Sequence, residues 1–353
     1  ENLGAAIVGA MRKIELANPD TLYGVLSMFS AQKWTDKKNL SDGKIRDLIE
    51  HLSTRKLGNK NYPADLMGDA YEILLKKFAD DSKAQAGEFY TPRSVVNLLV
   101  RILDPQPGET VYDPACGSGG MLIEAIQHMN HSSLCCGTIF GQEKNVVNSA
   151  IAKMNLFLHG ASDFNIMQGD TLRSPKILQN GEIAKFDCVI ANPPFSLEKW
   201  GSVEWASDKY GRNVWGTPSD SCGDYAWIQH MVKSMAPGNG RMAVVMPQGV
   251  LFRGNEEGRI REKLVKSDLV EAIVTLGDKL FYGTGLSPCF MILRRLKPAT
   301  HSARVLMIDG TKIFTAKRAQ NILSPEDVNR LYELYCNYED VEDLSKVVTI
   351  DDI

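Results

Sequence analysis

The sequence predicts a doubly wound, mostly parallel α/β sheet of seven strands, and three observations carry that expectation. Apolar strand-like runs alternate with helical segments, the runs end on acids or polar hooks, and the first run leads through a glycine-rich turn into a helix. The strand-like runs cover residues 110–113, 138–142, 166–169, 186–191, 242–246, 270–276 and 289–293. Residues 277–288, between the last two, are too few for a crossover helix, which makes that pair antiparallel.

Residues 1–83 show helical spacing, broken at Asn18-Pro19-Asp20 and near Pro63, and are expected to form an N-terminal helical domain incomplete at its start. Residues 84–300 carry the alternating pattern of a catalytic domain. Residues 301–353 are expected as a C-terminal extension with a strand at 305–308 and a helix at 325–335. The chain opens on Glu1 and stops at Ile353 in mid-pattern, so a portion of a longer protein is expected.

Chemistry concentrates at strand ends. Asn192-Pro193-Pro194-Phe195 follows the buried-looking run 186–191. Two prolines fix φ and remove two donors, which leaves the Asn192 side chain and free carbonyls as acceptors beside one ring. That suits a flat ring bearing an exocyclic amine. Upstream, Asp113-Pro114-Ala115-Cys116-Gly117-Ser118-Gly119-Gly120 lies between a strand and the helical 121–126. It lacks the third glycine of a dinucleotide fingerprint and the Lys-Ser or Lys-Thr of a phosphate loop. What remains is an acid-headed turn suited to a cofactor with amino and carboxylate groups. Glu143 and Asp170 end the next two strands, placed for ribose hydroxyls and an adenine amine. Cys116 is set aside as a nucleophile, having no histidine neighbour in this turn.

Taken together these motifs resemble the class I, S-adenosylmethionine-dependent N6-adenine DNA methyltransferases, and more narrowly the modification subunits of type I restriction-modification systems. Gly87-Glu88-Phe89-Tyr90-Thr91-Pro92 resembles the family's first cofactor motif. Asp224-Tyr225-Ala226-Trp227-Ile228-Gln229-His230-Met231, Gly240-Arg241-Met242-Ala243-Val244-Val245-Met246-Pro247 and Phe281-Tyr282-Gly283-Thr284-Gly285 match further stretches. The resemblance implies S-adenosylmethionine held by Asp113, Ala115, Gly117, Ser118 and Gly119 at its amino-acid end, Glu143 at the ribose and Asp170 at the adenine. Phe89, Tyr90 and Thr91 would close the pocket, and Asn192 would border it. Asn192, Pro193, Pro194 and Phe195 would be catalytic, with Phe195 stacked on an adenine flipped out of double-stranded DNA. The implied partners are a DNA specificity subunit, a second modification subunit and a restriction subunit.

Composition is compatible with this reading. At 353 residues and 44% hydrophobic content the chain can bury a large core. Apolar runs are short and broken by charge, so no membrane span or secretory signal is expected and the cytoplasm is the expected location. Seven cysteines without framework spacing, Cys135-Cys136 adjacent, and six scattered histidines point to reduced thiols and no structural metal. A net charge of −3 is low for a DNA-binding chain, but Lys199, Lys209, Arg212, Arg253, Arg259, Arg261 and Lys263 are candidates for a basic face. The loop 196–220, with Trp200, Trp205 and Trp215, either closes over the substrate or is a surface loop pinned by buried tryptophans. Methyl transfer to a protein glutamine, and a non-catalytic assembly role, stay open beside the DNA reading. Fifty residues after the sheet are too few for a target-recognition domain, so a separate specificity subunit is expected.

Overall fold

Local signals in the sequence account for the N-terminal helices. The computed structural model describes residues 2–27, 31–56, 61–62, 64–81, 91–130, 137–281, 287–317 and 320–353. Helix α1 (Leu3–Ala17) starts where the Asn2 side chain accepts from the Ala5 amide at 3.2 Å, and it stops before α2 (Pro19–Leu22), which has proline in its first turn. Next come α3 (Ala31–Thr35), α4 (Asp42–Ser53), capped by Ser41, and α5 (Ala64–Asp81). Gly4 lets α1 meet α3: a Cβ there would lie 2.0 Å from the Trp34 carbonyl oxygen. Arg93, at the start of α6 (Arg93–Leu103), pairs with Asp69 at 2.8 Å and with Glu72, tying α5 to the sheet domain.

From here strands and helices alternate. Strand β1 (Val111–Asp113), α7 (Gly120–Asn130), β2 (Ile139–Glu143), α8 (Val146–Leu158) and β3 (Phe164–Gln168) come first. A small hairpin, β4 (Leu178–Gln179) with β5 (Glu182–Ile183), precedes β6 (Cys188–Ala191) and α9 (Ser202–Ala206). Then follow α10 (Asp224–Ser234), β7 (Arg241–Pro247), α11 (Asn255–Lys266), β8 (Val270–Leu276), β9 (Pro288–Arg294), β10 (Arg304–Gly310), α12 (Pro325–Asn337) and β11 (Ser345–Thr349).

The main sheet has nine strands in the order β11-β10-β8-β9-β7-β6-β1-β2-β3. All seven expected strands are in it, and β8 and β9 pair antiparallel, as their short connection requires. Strand β9 is antiparallel to β7 as well, whereas β1, β2, β3, β6 and β7 run parallel. The sheet runs past the boundary expected at residue 300. Strand β10 joins β8 in parallel, β11 joins β10 antiparallel, and α12 buries Val328, Leu331 and Leu334 in the common core. Short runs of mixed polarity such as Ser345–Thr349 become strands because a paired edge takes up their backbone groups, and sequence periodicity does not register that gain.

Alternation across the sheet builds both layers. Cys188 and Ile190 face a core with α6, α7 and α12, while Val189 and Ala191 face the opposite core with α10 and α11. Among the described residues no helix is long and apolar enough to cross a membrane.

Candidate active site

The chain leaves β1 for β2 and β3 on one side, then returns through β6 to build the other side. The order therefore reverses between β1 and β6, where open α/β sheets form a crevice beyond their strand ends. These two strands are direct neighbours, Val111 opposite Cys188 and Tyr112 opposite Val189. Both predicted turns, at Asp113 and at Asn192, consequently emerge side by side from one end of the sheet.

The Asp113 turn is fastened from several directions. Asp113 is 3% exposed, and its Oδ1 accepts from the Ala115 amide at 2.9 Å. Gly117 (φ 54°) and Gly119 (φ 83°) take the left-handed conformations that fold the loop onto itself before α7. The Cys116 amide donates to the Gln142 carbonyl at 3.1 Å, and the Ser118 carbonyl accepts from Asn155 of α8, also at 3.1 Å. Glu143 closes the arrangement, accepting from the Gly117 amide at 3.0 Å and the Asn145 amide at 2.7 Å.

Electrostatically this corner is dominated by acids. Burial pushes the Asp113 carboxyl up to about 8; the Ala115 amide opposes that shift and the charge of Glu143 adds to it. Among the described residues no ion pair reaches Asp113 or Glu143. A ligand ammonium fits this place, because it would supply the missing charge to a buried acid. Asp170 lies at the next strand end, with Lys144 at 2.9 Å and its Oδ1 accepting from the Arg173 amide at 3.1 Å. Burial, and then the charges of Asp113 and Glu143, hold the Cys116 thiol well above its usual pKa, so it stays protonated.

The hook at Asn192 presents acceptors. Its side-chain nitrogen donates to the Thr91 hydroxyl at 2.9 Å, while its Oδ1 is buried with no hydrogen-bond partner. No described residue donates to the Pro193 carbonyl. Pro193 is buried, Pro194 is exposed, and Phe195 is half-buried against the core. Asn192 Oδ1, and the Pro193 carbonyl to which no described residue donates, are the acceptors this hook offers to an exocyclic amine. Phe89 and Tyr90, with residues 82–90, lie outside the described residues, and so do 282–286 and the Cys135-Cys136 pair.

Sequence reasoning gave no site role to Asp224, which is 0% exposed. Its Oδ1 accepts from the Ser196 amide at 2.7 Å and its Oδ2 pairs with Arg253. Ser196 directly follows the hook and has φ 50°, so Asp224 holds the backbone at a strained exit. An acid opening α10 was the available signal, but its target lies 28 residues earlier.

Trp200 and Trp205 are each 2% exposed and packed edge to face at 5.5 Å, which makes the loop 196–220 a pinned surface loop at both positions. Arg212 is corrected as a candidate for a basic face. It is 2% exposed, stacks 4.3 Å from the Trp205 ring, pairs with Asp208 at 2.7 Å and reaches the Thr171 and Leu172 carbonyls. A guanidinium with donors in several directions is satisfied there by inward-facing carbonyls, and net charge gives no hint of that. Arg253 and Arg261 are likewise engaged within the fold, whereas Lys199, Lys209, Arg259 and Lys263 are exposed.

Known proteins share this arrangement. A family model described as N-6 DNA Methylase matches residues 63–353. The methylase subunit of type I restriction enzyme MjaVII from Methanocaldococcus jannaschii is 36% identical over 300 residues, covering 82% of this chain and 51% of that protein. That of HindI from Haemophilus influenzae is 30% identical, covering 98% and 75% respectively. The crystal structure of a type I restriction-modification methyltransferase subunit from Streptococcus thermophilus superimposes with a TM-score of 0.83 at 27% identity, over 99% of this chain and 74% of that one. A class I S-adenosylmethionine-dependent methyltransferase structure from Listeria monocytogenes shares the fold, with a TM-score of 0.64 at 16% identity over 90% of this chain and 96% of that one. This chain spans 51% to 64% of the length of three M. jannaschii methylase subunits that it matches. Because the family match takes in the entire sheet and both turns at its switch point, the chain belongs to the N-6 DNA methylase family.

Proposed function

We propose that this chain is the modification subunit of a type I restriction-modification complex, transferring a methyl group from S-adenosylmethionine to the N6 amine of an adenine rotated out of duplex DNA. The observation that carries the reading is the unpaired, buried Asn192 Oδ1, next to a Pro193 carbonyl to which no described residue donates, at a strand end beside the acid-headed glycine turn. An adenine amine is a weak nucleophile because its lone pair is spread into the ring. When Asn192 Oδ1 and the Pro193 carbonyl each accept one amine hydrogen, the nitrogen is drawn toward a tetrahedral arrangement with its lone pair exposed. Phe195 holds the base by stacking, worth about 1–3 kcal/mol. Rotating the base out of the duplex costs about a few kcal/mol, which this grip must offset.

Asp113 would hold the cofactor's ammonium, the amides and glycines of 115–119 would line its amino-acid end, and Glu143 and Asp170 would face its ribose and adenine. When bound, S-adenosylmethionine supplies a methyl group made electrophilic by its sulfonium. The remaining work is positioning, for which a rigid two-proline hook is suited. Double-stranded DNA, a separate specificity subunit, a second modification subunit and a restriction subunit are the proposed partners, in the cytoplasm.

The test combines the chain with a candidate specificity subunit, labelled cofactor, and either duplex DNA or a glutamine-bearing peptide. Label is expected on adenine N6, and Asn192→Ala is expected to keep cofactor affinity while losing transfer at least about 100-fold. Label on the peptide alone, or undiminished transfer by the variant, would overturn the assignment.

A further inference from the structure

We propose that Thr91 is a positioning residue that tethers the Asn192 carboxamide with its oxygen toward the target amine. The inference rests on the reading of Asn192 as the amine acceptor and adds a residue that acts through it. An asparagine carboxamide is nearly symmetric in shape but opposite in chemistry at its two ends, since the oxygen accepts and the nitrogen donates two hydrogens. A target amine brings two donors. A reversed carboxamide would set donor against donor and lose the contact altogether.

Nothing within the hook itself chooses between the two orientations, because prolines follow Asn192 and offer no N–H. The Asn192 side chain is held instead by a residue 101 positions earlier in the chain. Thr91 Oγ1 lies 2.9 Å from Asn192 Nδ2 and accepts from it, and this leaves Oδ1 as the buried, unpaired end. Thr91 lies just before α6, whose first residue, Arg93, is anchored to Asp69 and Glu72, so the hydroxyl is presented from a fixed backbone. Both residues are half-buried, where a single hydrogen bond constrains rotation more firmly than at an exposed site.

Thr91→Val, which replaces the hydroxyl by a methyl of similar size, and Thr91→Ser, which keeps it, separate this role from packing. Both are assayed in the full-length protein assembled with its specificity subunit, alongside Asn192→Ala and the double variant Thr91→Val/Asn192→Ala. Expected for Thr91→Val is a roughly tenfold fall in kcat at saturating cofactor, the scale of one neutral hydrogen bond, with a melting temperature near that of the parent. Thr91→Ser should restore most of the rate. The double variant should be no slower than Asn192→Ala, since the two residues act as one unit. A weaker cofactor Kd with unchanged kcat at saturation would make Thr91 a cofactor ligand only, and would overturn the proposal. So would a double variant slowed by the product of the two single effects. If Asn192→Ala itself proves active, the reading of the hook fails, whatever Thr91→Val shows.

Discussion

Glu143 and Gly117 are joined across two turns: the carboxylate that ends β2 accepts the Gly117 amide on Oε2 at 3.0 Å, while its Oε1 accepts the Asn145 amide at 2.7 Å. One side chain thus fixes both the glycine turn and the start of α8. No other described residue donates to it, which leaves lone pairs for a ligand. Glu143→Ala should weaken S-adenosylmethionine binding at least tenfold, or about 1.4 kcal/mol. Titration calorimetry on the parent and the variant reads this directly. Equal affinities would remove Glu143 from the cofactor site.

Asp113 predicts a proton-linked binding step. With its carboxyl pushed up to about 8 by burial, it is mostly neutral at pH 7, and an arriving ammonium favours the ionised form. Cofactor binding should therefore release a proton from Asp113 below about pH 8, and the release should vanish in Asp113→Asn. Calorimetry in two buffers of different ionisation enthalpy measures it. The same shift bears on stability. The folded pKa lies above the unfolded value of about 3.9, so this contribution is full below about pH 4 and is lost as pH rises toward about 8. Melting temperatures of the cofactor-free protein, parent against Asp113→Asn, should diverge across that window. Parallel curves would contradict the burial argument.

Phe195 should divide along substrate lines. It is half-buried against the core, so Phe195→Ala removes a stacking surface together with some packing. A rise of roughly 5- to 100-fold in the KM for DNA is expected, following the range of base-aromatic stacking, while Phe195→Tyr stays near the parent. Cofactor affinity should hold in both. A change confined to cofactor binding would remove the ring from the base-contacting role.

Asp224 is expected to matter through what it leaves behind. Replacing it by alanine strands the Ser196 amide and takes one of two carboxylates from Arg253, which keeps Glu257, so a loss of about 1–3 kcal/mol in unfolding free energy is expected, as for a buried hydrogen-bonding group left without its partner. Asn192 should also lose its precise placement, and kcat should fall more than cofactor affinity. Denaturant unfolding together with kinetics tests both parts. A fully stable, fully active Asp224→Ala would show that the hook holds its shape unaided.

Much of this was legible in the chain. Alternating runs such as Val270–Leu276, the glycine turn after Asp113 and the prolines after Asn192 are local patterns, governed by side-chain period and backbone restriction within a few residues. The edge strand Ser345–Thr349 was not legible, because its stability comes from a partner strand. Arg212 read as a surface cation for the same kind of reason: charge is written in the sequence, but the carbonyls of Thr171 and Leu172 that receive it are brought near only by the fold.

By itself the sequence determined the class of sheet, the acid-headed turn and the asparagine-diproline hook, since each depends on neighbours along the chain. Only the tertiary structure decided that β1 and β6 lie side by side, that Thr91 faces the nitrogen of Asn192, and that Asp224 holds Ser196. Those contacts span from 28 to 101 residues, and they form because burying both faces of the sheet brings distant polar groups together, where each must find a partner or remain open for a ligand.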